Sequence, residues 1–174
     1  MSARTEIAPS PQGPPVAVDG ETFREAMSHL AAPLTVVTTR DGQGRRRGFT
    51  ASSVTSVSLD PPLVLVGLSN GSSCREALLG AGEFIVNVLG EQHRGVATAF
   101  AERGADRFQG LAFDTWPETE LPYLTGANAA FRCTRVRHVP VGDHHLVIGE
   151  LTGLMAEGTD KPLLWYRRGF STAS

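Results

Sequence analysis

Between Gly48 and Leu68 the chain reads GFTASSVTSVSLDPPLVLVGL, and its first half sets Thr50, Ser52, Ser53 and Thr55 beside the small residues Gly48 and Ala51. Hydroxyls on such a strand can hydrogen-bond an elongated polar ligand, and small side chains leave the backbone N–H groups approachable. The same pattern also describes a solvated edge strand with no ligand. Ser69-Asn70-Gly71-Ser72-Ser73 then leads into a short helix, with Ser73 and Glu76 at capping-box spacing. Free N–H groups and hydroxyls at a helix start suit a phosphate, although plain capping needs none. Arg45, Arg46 and Arg47 form the basic run, read either as a solvated hairpin tip or as a partner for a phosphate group. His144 follows Gly142-Asp143 at a strand entrance, where it is an exposed polar residue or a ligand contact. His145 must face the other side of that strand, so the pair is not expected to hold one metal.

Other chemistries lack their residues. Gly42-Gln43-Gly44 begins a dinucleotide fingerprint, but Arg47 stands where the third glycine belongs and the context is a hairpin. There is no GxxxxGK[ST], HExxH or CxxC. Cys74 and Cys133 are too few and too far apart for a disulfide framework or a zinc site, which fits reduced thiols in a cytoplasm. A net charge of −2 gives no global pull toward nucleic acid or an anionic membrane, and the apolar stretches are too short to span a bilayer.

The elements that must position these residues follow from local pattern. Residues 1–18 carry four prolines and no hydrophobic period, so a disordered tail is expected ahead of one domain over residues 19–174. Thr22 to Glu25 matches a capping box, with Phe23, Ala26, Met27 and Leu30 on one helical face that ends before Pro33. The β-branched run Leu34 to Thr39, turning at Asp41 to Gly44, predicts a hairpin into the arginines. The stretch from Gly48 reads as one strand, turned at Asp60-Pro61-Pro62 into a fully buried strand, Leu63 to Leu68. Glu83 to Val88 reads as a central strand, and Gln92 to Ala101 carries Val96, Ala97 and Phe100 at helical spacing. The polar loop Glu102 to Asp106 either closes over a ligand or simply connects. After an irregular segment through Trp116-Pro117, Pro122 and Gly126, Ala129 to Arg137 and His145 to Leu154 complete the sheet. The fold class expected is mainly β, a closed or partly closed antiparallel β-barrel with peripheral helices.

In order and spacing, FREAM, PLTVVTT, GFTASSVTSVSLDPPLVLV, EFIVNVL, RF.G, GDH at 142–144 and PLLWYR at 162–167 resemble the flavin reductase family, the reductase components of two-component flavin-dependent monooxygenases. The resemblance runs from about Thr22 to Phe170. It implies an FMN-binding split β-barrel, usually a homodimer, in which NADH or NADPH reduces FMN or FAD and the reduced flavin passes to a partner monooxygenase. By resemblance, Thr50, Ala51, Ser52, Ser53, Val54, Ser56 and Val57 contact the flavin ring and ribityl chain. Gly71, Ser72 and Ser73 lie near its phosphate, with Arg103 and Gly104 on a second loop there. His144, Tyr166 and Arg167 match positions associated with the nicotinamide substrate. Hydride passes directly between two such cofactors, so the protein has only to bind, orient and tune them, which suits a chain with no catalytic triad. Two other readings stay open: a flavin-holding electron carrier of the same fold, and a structural partner protein.

Overall fold

The structure is a computed structural model that describes residues 17–102, 107–156, 158 and 160–173. Most of the expected tail, residues 1–16, therefore lies outside the described residues. In chain order the elements are α1 (Gly20–Ser28), β1 (Ala32–Pro33), β2 (Thr35–Arg40), β3 (Arg46–Ala51), β4 (Val54–Leu59), β5 (Pro62–Ser69), α2 (Arg75–Gly80) and β6 (Glu83–Val88). A 3-10 turn at Glu91–His93 then leads into α3 (Arg94–Ala101), β7 (Phe113–Thr115), β8 (Pro122–Leu124), β9 (Ala129–Val141), β10 (His144–Met155), β11 (Leu163–Tyr166) and β12 (Gly169–Thr172).

Seven strands form the main antiparallel sheet in the order β3-β2-β6-β9-β10-β5-β4. β3 and β4 are neighbours in sequence yet lie at opposite edges, so the Ser52-Ser53 link must carry the chain from one edge to the other. No ladder joins these edges. The mainly β class stands, and among the described residues the main sheet is hydrogen-bonded in an open order. β1, β11 and β12 form a three-stranded sheet, and β7 pairs with β8.

The hairpin β2–β3 forms because Asp41 organises its turn. Its carboxylate accepts from the N–H groups of Gln43 and Arg45, both at 3.0 Å, and from Arg45 Nε at 2.9 Å and Arg47 Nε at 3.0 Å. Gly44 at φ 74° supplies the left-handed residue that closes it. β2 is buried almost throughout because both faces of the sheet are covered. Val37 joins Val66, Leu68, Leu78, Phe84 and Val147 on one face, whereas Val36 joins Leu89, Val96, Phe100, Phe108 and Leu163 on the other, under α3. Each large side chain removed from water contributes about 1.5–3 kcal/mol. Asn87, fully buried, donates to the Val36 carbonyl at 2.8 Å and accepts from Leu124 N at 2.8 Å, fastening β8 to this layer.

Four local expectations change. α1 is capped by Asp19, whose carboxylate accepts from Glu21 N and Thr22 N, because Asp19 reaches the first free amides ahead of Thr22. The stretch from Gly48 to Ser58 is two strands, broken at Ser52-Ser53. Leu63, Val64 and Leu65 are only half-buried, leaving Val66 and Leu68 to enter the core. α2 starts from Cys74 without a side-chain cap, since the Ser73 hydroxyl is engaged elsewhere.

Candidate functional site

The break at Ser52-Ser53 is held by β5. Gly67 N donates to Ser53 O at 2.7 Å, and a Cβ on Gly67 would lie 2.8 Å from the Ser53 Cβ, so only glycine lets the link settle this close. Beside the link opens a cleft of about 360 Å³. Phe49, Thr50, Ala51, Ser52 and Ser53 form one wall, and Phe100 with Ala101 at the end of α3 form a second. Ser69, Gly71, Ser72 and Ser73, between β5 and α2, form a third, and Arg107 and His144 complete the lining. Thr50 Oγ1 donates to the Ala97 carbonyl at 2.6 Å, which commits that hydroxyl to fastening α3. Ser52 and Ser53 keep their hydroxyls free of partners among the described residues.

Arg107 is the cation of the cleft. Its Nη1 donates to Gly48 O at 2.7 Å and its Nη2 to Ser73 Oγ at 3.1 Å and to the Glu102 carbonyl. Phe108 fixes it in place, because that ring is buried against Phe100 and Phe113 at centroid distances of 5.0 and 4.9 Å. Among the described residues this guanidinium is bonded to neutral oxygens and, at 3.7 Å, to the Cys74 sulfur, so its charge is left for an anion, and Ser72 and Ser73 stand beside it as hydroxyl donors. Beneath, Cys74 donates its thiol proton to Gly48 O at 2.8 Å. Burial raises the Cys74 pKa, against the pull of Arg107, so the thiol stays protonated and acts as a strut, not a nucleophile.

His144 opens β10 opposite Ser69, and its Nδ1 lies 2.7 Å from Asp143 Oδ1. The bond to His144 and the charge on that ring hold the Asp143 carboxyl below its ordinary pKa. A carboxylate only accepts, so Nδ1 carries the proton and Nε2 remains available to a ligand.

The cleft thus gathers Thr50, Ala51, Ser52, Ser53, Gly71, Ser72, Ser73 and His144. Val54, Ser56 and Val57 lie on β4 beyond the break and outside its lining, while Tyr166 and Arg167 lie on the β11–β12 hairpin. Arg103 and Gly104, with the rest of that loop through Asp106, fall outside the described residues. Sequence reasoning missed Phe49, Gly67, Phe100 and Arg107 as lining residues. Arg107 was visible only as the first letter of RF.G, and its use depends on Phe108 meeting rings distant in sequence.

Two other hollows lack this character. One of about 90 Å³ is bordered by Tyr123, Leu124, Ala127 and Met155, without a charged wall. One of about 390 Å³ beside the β2–β3 turn includes Arg40 and Arg45, but Glu120 engages the first and Asp41 the second. Among the described residues no cluster of three or more His, Cys, Asp or Glu could hold a metal, and no helix is long and apolar enough to cross a membrane.

A mainly antiparallel sheet thus carries a small-residue cleft lined by a cation and by a histidine backed by a carboxylate. The flavin reductase like domain family matches residues 27–174, and the chain belongs to that family. It is 52% identical over 157 residues to an NADH:riboflavin 5'-phosphate oxidoreductase of Streptomyces pristinaespiralis, covering 90% of this chain and 89% of that one. Its fold superposes on the styrene monooxygenase flavin reductase of Pseudomonas putida S12 with a TM-score of 0.79 at 32% identity, over 87% of this chain and 97% of the other. The NADH:FAD oxidoreductase SgcE6 of Streptomyces globisporus, solved with NAD and FAD fragments, matches with a TM-score of 0.84 at 28% identity, over 91% and 97% of the two chains.

Proposed function

We propose that this chain is an NADH:flavin oxidoreductase that reduces FMN and releases it to a flavin-using monooxygenase. The observation that carries the reading is the meeting of Arg107, Ser72 and Ser73 with His144 in one cleft floored by small residues. The cleft fits a flavin on its own chemistry. Arg107 with two serine hydroxyls suits a phosphate monoester, and the close Gly67–Ser53 approach sets the Ser52-Ser53 link as one wall of the cleft. The bound flavin supplies the hydride acceptor, and NADH the hydride. Ser52 and Ser53 offer hydroxyls to its polar edge, Phe49 and Phe100 offer apolar surface, and His144 orients the nicotinamide through Nε2. The site set carried by resemblance, from Thr50 to Val57, Gly71 to Ser73, and Arg103 with Gly104, is retained as part of this proposal. So are Tyr166 and Arg167 on the hydride-donor side.

NADH is favoured over NADPH by the state of the arginines. Arg45 and Arg47 are bound to Asp41, Arg168 lies 3.0 Å from Glu25, and Arg46 stacks on Phe108 at 4.7 Å. None of these is left bare for a ribose phosphate. The proposal includes a split-barrel domain over residues 19–174, located in the cytoplasm, closing through the Ser52-Ser53 link and working as a homodimer. Support for the dimer comes from α1, which buries no residue and leaves Phe23 57%, Met27 46% and Leu30 61% exposed. A nine-residue helix so placed gains nothing from its own core, and a second copy covering it would supply the missing burial.

Purified protein mixed with NADH and FMN should consume reduced nicotinamide and yield reduced flavin. Absence of turnover with FMN, FAD and riboflavin alike overturns the reading. His144→Ala should raise the KM for NADH about tenfold or more while FMN binding holds, a loss near 1.4 kcal/mol. An electron carrier of the same fold would instead bind FMN and show no NADH oxidation in either form.

A further inference from the structure

His144 and His145 are adjacent, yet β-strand alternation sends them to opposite faces of β10. His144 lines the cleft, whereas His145 pairs across the ladder with the buried Leu68 and is itself 8% exposed. Its Nδ1 has no partner. Over this same face lies α2, where Arg75 precedes the buried Leu78 by one helical turn and therefore points inward with it. The Nε of Arg75 is likewise buried without a partner.

β9 adds two more basic groups. Ile148 pairs with Arg137 and Gly149 with Arg135, so Val136 is an extra residue in the ladder. That bulge turns Arg135 and His138 to one side, with Arg135 Nη1 3.4 Å from His138 Nδ1 and Arg135 Nε donating to Ala81 O at 2.8 Å, just past α2. The His138 and His145 rings meet edge to face at 5.5 Å. The positive field is sensed within the cluster: burial first, then the charges of Arg75 and His138, lower the His145 pKa. Among the described residues no carboxylate pairs with Arg75 or Arg135, whereas Arg40, Arg45, Arg47, Arg132 and Arg168 each have one. Four basic side chains that converge without an acid, two of them with orphaned buried nitrogens, lack the anion that would satisfy them.

We propose that Arg75, Arg135, His138 and His145 form a second binding site, for a tetrahedral oxyanion of the phosphate or sulfate class, on the face of β10 turned away from the flavin cleft. Arg75 Nε–H and His145 Nδ1–H are the inner donors, and His138 Nε2–H with the free guanidinium nitrogen of Arg135 the outer ones. This site does not depend on the reductase reading, because it shares no residue with the cleft. It adjoins the cleft through the backbone alone: Arg75 follows Ser72, Ser73 and Cys74, and His145 follows His144.

The test is a titration of the full chain with inorganic phosphate, read by the ring nitrogen resonances of His138 and His145 in two-dimensional NMR. Sodium sulfate and sodium chloride at matched ionic strength form the parallel arms. Saturable shifts of both rings at millimolar phosphate and sulfate are expected, persisting in Arg107→Gln and weakened at least tenfold in Arg75→Gln. Arg135→Gln, at a half-exposed position, provides the same comparison should Arg75→Gln not fold. Chloride producing the same shifts, phosphate producing none, or both variants titrating like the parent overturns the site.

Discussion

At the scale of single residues, Arg107 is predicted to discriminate by phosphate. Arg107→Gln should weaken FMN at least tenfold, about 1.5–3 kcal/mol for a charge-assisted bond, while leaving riboflavin nearly unchanged. Paired fluorescence titrations with the two flavins check this, and an equal loss for both would assign Arg107 to scaffolding instead. The nucleotide preference belongs here too: kcat/KM with NADH should exceed that with NADPH by about tenfold or more, because Asp41 and Glu25 already occupy the arginines that a ribose phosphate would seek. Residue types alone offered the serines and His144 as candidates, with a bland reading beside each, and only the family resemblance singled out His144. They could not mark Phe49, or Phe100 on its helical face, nor the loss of the Thr50 hydroxyl to the Ala97 carbonyl.

At the scale of elements, close approach at glycine carries the geometry of the cleft. Gly67→Ala should lift the Ser52-Ser53 link off β5, weakening FMN more than it lowers stability, with the overpacking itself costing about 1–3 kcal/mol. Flavin titration beside thermal melts separates the two. The turn before α3 gives a pH dependence. His93 Nδ1 accepts from Gly90 N at 3.1 Å, and burial lowers its pKa from 6.5, against the pull of Asp160. Between the lowered folded value and 6.5 the unfolded chain binds more protons, so this stability is full above 6.5 and is lost as pH falls through the folded value. His93→Asn keeps an acceptor and does not titrate, so its Tm should fall less than the parent's on acidification; His145, shifted in the same direction, leaves part of the slope. Elements themselves were largely readable, as Glu83–Val88 and the helix through Phe100 show. The misses were at boundaries, where Asp19 and Cys74 took the capping positions and a serine pair split one apparent strand into two sheet edges. Strand propensity does not encode which edge a residue will reach.

At the scale of the whole molecule, the surface of α1 and the C-terminal hairpin is where association should register. Arg167 N donates to Ser28 O at 2.8 Å and Arg168 lies 3.0 Å from Glu25, which holds the hairpin against a helix whose apolar side is bare. Trp165 at 37% and Phe170 at 36% exposure extend that apolar surface. Phe23→Glu with Leu30→Glu should convert a dimer into a monomer by light scattering, and a parent chain already monomeric would remove the proposed dimer. The sequence showed the stripe on α1 but not what lies against it, because periodicity reports amphipathicity and not which partner covers it.

The cleft draws its lining from parts of the chain far apart in sequence, around residues 49–53, 67–73, 100–101, 107 and 144. They converge only once the sheet is complete, so under the proposed function an unfolded chain offers riboflavin phosphate nothing to hold. Vitamin supply then becomes a determinant of how long each molecule escapes proteolysis: at a hundredfold excess over the dissociation constant, ligand adds about 2.7 kcal/mol against unfolding, and flavin starvation withdraws that protection.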